Sequence, residues 1–333
     1  MDPRAFCTST RVLIVAGKGG VGKTTVSATV ARMAAAAGVP VLLIEVEGRS
    51  RVSELFDRPG PLGYHQTVLL PAQAPAAEVL ARTLTPDDAL VEYLDDHGMR
   101  RISRRLSRTG AVDVVATGAP GIKDILVLGK IKQIERDRWP AAQAAGVGLI
   151  VVDAPAAGHA VQFLESADGL LDAVQVGPIR AQARDVADLL ADAARCRVLL
   201  VTLAEETPVN EVIETAYALE DRVGVHLGPV VVNAFDVPQP DLAVDPEEAA
   251  EAAGVTLAAG EADALRRAAA FRWGRQQRQA GQAARLADAL PLAQVRLPLL
   301  LTDRLGGAEL ERLAAAFAAG LEPQPDRAAA PAG

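Results

Sequence analysis

Cysteine, lysine and aromatic side chains are all scarce in this chain of 333 residues. The two cysteines, Cys7 and Cys196, stand far apart, leaving no C-x-x-C pair for zinc and no ligand set for an iron–sulfur cluster. A disulfide is not expected in a reducing compartment. Aromatics are 3% of the residues and methionines number three, so a Met-rich adaptable groove is not visible. No apolar run approaches the ~20 residues of a membrane span, and the first residues lack a charged-then-apolar leader. The expectation is a cytoplasmic protein with no integral membrane segment. A net charge of −8 argues against a sequence-independent hold on nucleic acid, which needs basic surface. Of the 34 Lys and Arg residues only five are lysines: Lys18, Lys23, Lys123, Lys130 and Lys132.

Two of those five fall in the run Gly17-Lys18-Gly19-Gly20-Val21-Gly22-Lys23-Thr24-Thr25, which fits the P-loop pattern G-x-x-x-x-G-K-[ST]. It follows the apolar stretch Val12–Val15 and opens the Ala-rich stretch Val26–Ala37, so strand and helix flank it as a P-loop requires. Glycines let successive backbone N–H groups face a polyphosphate, and the helix N-terminus adds a favourable field. In that arrangement Lys23 sits on the β- and γ-phosphates and Thr24 on Mg²⁺. An arginine-rich composition that nonetheless places lysine at 18 points to a need for a compact, flexible ammonium there.

Half of the residues are hydrophobic, enough for a large core. Short β-branched runs alternate with Ala/Leu-rich stretches, which predicts an α/β fold with a mostly parallel sheet flanked by helices. Strands are expected at Arg11–Ala16, Val41–Val46, Val112–Ala116, Gly148–Val152, Arg197–Thr202, Gly228–Asn233 and Gln294–Leu297. A single domain over 11–320 is expected. Pro71 to Arg108 carries helical spacing and no strand pattern, and with 122–145 and 161–193 would make a helical subdomain. Ile125, Leu126, Leu128 and Ile131 are expected to bury against the sheet more than to line a groove. Asp236–Gly260, acidic and rich in Pro and Ala, reads as mobile, and 322–333 as a disordered tail.

The chain resembles a known family at several collinear points. A P-loop beginning Gly-Lys-Gly-Gly resembles the deviant Walker A motif of ATPases that dimerise face to face. Asp153-Ala154-Pro155-Ala156-Ala157-Gly158-His159, continuing to Phe163 and Leu164, resembles the switch II segment of the arsenical-pump and tail-anchored-protein-targeting ATPases. Pro120-Gly121-Ile122, Val230–Asn233 and Leu297-Pro298-Leu299-Leu300 with Asp303 and Gly306 resemble further motifs of that family, in its order. The likeness spans roughly Arg11 to Phe317.

The resemblance implies an ATP- and Mg²⁺-dependent ATPase acting as a dimeric switch, as a homodimer or with a paralogous ATPase, on an unidentified protein client. It implies phosphate contacts from Gly17, Lys18, Gly19, Gly20, Val21, Gly22, Lys23, Thr24, Thr25 and Gly158. It places Thr24 and Asp153 on the metal, and Asn233, Pro298, Leu299 and Leu300 on adenine. Lys18 would reach the partner's nucleotide. His159 can serve equally as a hydrogen-bonded switch residue or in the chemistry. The departures are specific. Glu47 stands where the family's switch I has the water-orienting aspartate, and its extra methylene can displace that water by about an ångström. The arsenite cysteine cluster and the dimer-zinc C-x-x-C are absent. The altered switch I leaves an alternative: a nucleotide-binding partner subunit with little or no hydrolysis.

Overall fold

The computed structural model describes residues 1–46, 51–96, 98, 121–145, 148–155 and 158–322. Its sheet is built from β1 (Val12–Ala16), β2 (Val41–Val46), β3 (Thr67–Leu70), β4 (Val79–Leu84), β5 (Leu149–Asp153), β6 (Cys196–Leu203), β7 (Val230–Phe235) and β8 (Gln294–Pro298). The strand order is β3-β4-β2-β5-β1-β6-β7-β8, and every pairing is parallel except β3 on β4. Every residue of β1, β2 and β5 is buried, the pattern of parallel strands covered on both faces.

Alternation along the strands sorts the core into two layers. Leu13, Val15, Leu43 and Val151 face α1 (Pro3–Thr8), α2 (Lys23–Ala36) and α11 (Gly307–Leu321). The alanines of α2 keep it narrow enough to be buried on nearly all sides between the sheet and Leu310, Leu313 and Phe317 of α11. Ile14, Ile44 and Val152 face the opposite layer: α5 (Ile122–Ala145), α6 (Gly158–Ala173), α7 (Pro178–Leu190), α8 (Glu206–Val223) and the long α10 (Glu261–Ala289). As the spacing predicts, Ile125, Leu128 and Ile131 of α5 are buried in that layer. Leu126 packs instead with Leu90 and Leu94 of α4 (Pro86–Asp96).

Three of the chain's five lysines lie on α5. Lys130 pairs with Glu92 of α4 at 2.5 Å and Lys132 with Asp185 of α7 at 2.5 Å. One turn beyond Lys132, Glu135, 1% exposed, takes Arg11 at 2.8 Å and Arg195 at 2.9 Å, tying the middle of α5 to the starts of β1 and β6. Burial pushes the Glu135 carboxyl up, but the hydrogen bonds from Arg195 and Arg11 outweigh it and hold the group below the usual carboxylate range.

Two expectations need correction. Pro71 to Arg108 is not free of strands: Val79–Leu84 forms β4, an interior strand in register with β2. Its Leu80–Leu84 spacing suits a helix, and Arg82 interrupts the apolar run. Pairing with β2, which is remote in sequence, overrides that local signal. Helix in this stretch is described only for α4, and the strand expected at Val112–Ala116 lies outside the described residues. Asp236–Gly260 carries a turn of 3₁₀ helix and α9 (Pro246–Ala253), with Arg266 bridging Asp245 and Glu247 at 3.0 and 3.1 Å. Cys7 and Cys196 are buried and free, and burial pushes both thiols up to about 12.

Candidate functional site

The site gathers at the C-terminal ends of the central strands, where an open parallel sheet leaves a crevice. The chain turns after Ala16 at Gly17, whose φ is +156°. A Cβ there would lie 2.4 Å from the Val201 carbonyl oxygen on β6, so no other residue fits. The turn closes at Gly22, which caps α2 with φ +90°; a Cβ there would lie 2.2 Å from the Asn233 amide nitrogen. That nitrogen donates to the Val21 carbonyl at 2.9 Å. A bulge aims Asn233 inward. Val232 pairs with Arg296 but Phe235 with Pro298, and Ala234 takes a left-handed φ of +50°. The loop is thus braced from β6 and β7.

Lys23 and Thr24 form the first turn of α2. The Lys23 ammonium donates to the Lys18 carbonyl at 3.2 Å. The Thr24 hydroxyl donates to Asp153 Oδ2 at 2.7 Å, and one helical turn on, Ser27 Oγ lies 3.1 Å from Asp153 Oδ1. Asp153 ends β5 and is 5% exposed. Burial pushes its carboxyl up to about 6; the Thr24 and Ser27 hydroxyls and the Lys23 charge oppose the rise, and the charge of Glu45 adds to it. Glu45, 2% exposed, is the register partner of Asp153 on β2 and accepts from Thr83 Oγ1 at 3.2 Å.

The Lys18 ammonium lies 3.1 Å from Glu211 Oε1 on α8 of the same chain, with 42% of the Lys18 side chain exposed. A cavity of about 460 Å³ opens beside Thr24 and Thr25. Its other walls are Arg51, Glu54 and Leu55, from the start and end of α3 (Val52–Leu55), and Asp303, Arg304 and Leu305 after β8. Asp57, just past α3, accepts from the Gly307 N–H at 2.9 Å and so tethers the start of α11 to that wall.

The structure therefore brings Gly17, Lys18, Gly22, Lys23, Thr24, Asp153 and Asn233 to one end of the sheet. Gly158 opens α6, five residues after Asp153. Pro298 ends β8, the Leu299 N–H donates to the Phe235 carbonyl at 3.0 Å, and Leu300 packs on the α2-side core, so the cavity wall there falls to the next residues. Glu47 lies outside the described residues, and nothing is described of the His159 side chain. Ser27, Arg51, Glu211 and Arg304 join the site although they belong to none of the motifs in the sequence. Ser27 alone had a signal, one helical turn from Lys23 and Thr24 on the face turned to β5.

The hydroxyl and carboxylate oxygens of Thr24 and Asp153, in contact at a helix N-terminus, are the hard donors a Mg²⁺ ion takes, and the glycine-shaped turn suits a polyphosphate. No helix among the described residues is long and apolar enough to cross a membrane.

Residues 10–175 match the family model for anion-transporting ATPases. The chain is 36% identical to the ATPase BagA of Mycobacterium tuberculosis over 259 residues, covering 76% of this chain and 71% of that one. It is 28% identical to an arsenical pump-driving ATPase of Escherichia coli over 243 residues, 66% of this chain and 39% of that protein. With the ATPase GET3C of Arabidopsis thaliana the identity is 26% over 167 residues, 46% of this chain and 41% of the plant protein.

Proposed function

Because this chain belongs to the anion-transporting ATPase family, we propose that it binds ATP with Mg²⁺ in the loop Gly17–Thr25 and hydrolyses it as a dimeric switch. The contact of Thr24 with buried Asp153, directly beside the lysine that opens α2, is the observation that carries the reading. Backbone N–H groups of the glycine turn would hold the phosphates, and Lys23 would move from the Lys18 carbonyl onto the β- and γ-oxygens. Thr24 and Asp153 would hold Mg²⁺, which when bound neutralises charge on the transferring phosphoryl group. Glu47 would orient the attacking water. Asn233 braces the loop and, with the stretch Pro298–Leu300 and its following residues, is assigned to adenine.

Lys18 would leave Glu211 to reach the nucleotide of a second subunit, so the dimer completes each site. Release of phosphate would then relax the segments after β2 and β5. The segment after β5 leads into α6, which packs with α5 and α7, the helices assigned here to a protein client. The test is Mg²⁺-dependent ATP hydrolysis by the purified protein and its loss in Lys23→Ala. Binding without turnover in the wild type would instead favour the nucleotide-binding partner subunit. Undiminished turnover in Lys23→Ala would sink both.

A further inference from the structure

We propose that Glu45 is a second carboxylate of the divalent-cation site, a positioning residue that stands beside Asp153 and holds a water of the cation's shell. This rests on the ATPase reading above. Glu45 and Asp153 are Cα partners in the parallel register of β2 on β5, so their side chains leave the sheet on one face, the face covered by α2. Both are buried, at 2% and 5% exposure.

Asp153, in contact with the Thr24 hydroxyl, and Glu45 on the neighbouring strand offer the all-oxygen donors that a hard divalent cation takes. A Mg²⁺-like ion keeps several of its waters, so an acid one strand away can act through water while Asp153 lies nearer. Thr83, the register partner of Glu45 on β4, donates to Glu45 Oε2 at 3.2 Å and fixes the carboxylate's orientation. Glu45 is thus held by the sheet itself, whereas Glu47 follows the end of β2.

The test uses Mn²⁺ with ADP as the probe, with free Mn²⁺ read by electron paramagnetic resonance in wild type, Glu45→Gln and Asp153→Asn. Glu45→Gln keeps the shape and an acceptor for Thr83. It should weaken Mn²⁺ binding about 10-fold and shrink the Mn²⁺-induced rise in melting temperature, while the metal-free protein melts no lower than wild type. Unchanged Mn²⁺ affinity in Glu45→Gln alongside a loss in Asp153→Asn overturns the inference and leaves the ATPase reading standing. A wild type that binds no Mn²⁺ with ADP overturns the ATPase reading and the inference with it. Should Glu45→Gln fail to fold, Thr83→Val removes the orienting donor and keeps the acid. It should weaken Mn²⁺ binding about 3-fold, within the modest range expected for one lost hydrogen bond, and an unaltered affinity there overturns the inference.

Discussion

Gly22 and Asn233 share one space: the missing side chain of the first is the room the second uses to reach the Val21 carbonyl at 2.9 Å. Gly22→Ala would put a methyl 2.2 Å from the Asn233 amide at a φ of +90°. Each fault alone is costly, the left-handed backbone by about 1–3 kcal/mol. The expected result is loss of ATP binding by calorimetry together with a lower denaturation midpoint. Adding Asn233→Ala should remove the clash and recover part of the stability, while the backbone cost remains. A Gly22→Ala protein that binds ATP as tightly as wild type would show that the turn does not hold the phosphates.

The pair Lys18–Glu211 separates catalysis from folding. It is a half-exposed ion pair at 3.1 Å, a class worth less than about 1 kcal/mol. Lys18→Ala should therefore keep the wild-type melting temperature and ATP affinity yet lose turnover. Glu211→Gln should leave melting unchanged and turnover undiminished, because it frees the lysine. Stopped-assay ATPase rates on both variants decide it. If Glu211→Gln loses as much turnover as Lys18→Ala, the lysine works while bound to Glu211.

Glu135 predicts an acid sensitivity. Its carboxyl is held below the usual 4.5, so the folded state binds its proton less readily than the unfolded chain does. The stabilisation it gives is complete above pH 4.5 and is lost as pH falls through the lower folded value. Glu135→Gln should cost about 3 kcal/mol at pH 7, the range for removing one partner of a buried ion pair. The gap to wild type in urea midpoint should close as the pH is lowered toward 3. A gap independent of pH would mean that packing, not charge, holds α5 to Arg11 and Arg195.

Much of this was legible from local pattern. The strands around the P-loop read directly because β1, β2 and β5 are apolar at almost every position, and the loop glycines announce their own geometry. Asp153 was legible because an acid ends an otherwise apolar strand. β4 was not, since Arg82 sits inside it and only its register with β2 makes it a strand. Glu211 and Arg304 were invisible for another reason: each reaches the site across a distance in sequence that no spacing rule encodes.

The hydrogen bond from Gly307 to Asp57, beside the ion pair of Arg304 with the same carboxylate at 3.7 Å, makes one mechanical unit of two segments 250 residues apart. Whatever pulls the stretch following β2 also tugs the first turn of the last helix, on the side of the molecule away from α5 and α7. Occupancy of the crevice would then be broadcast to both flanks at once, and slowed amide exchange at the opening of α11 upon adding ATP would register the second signal.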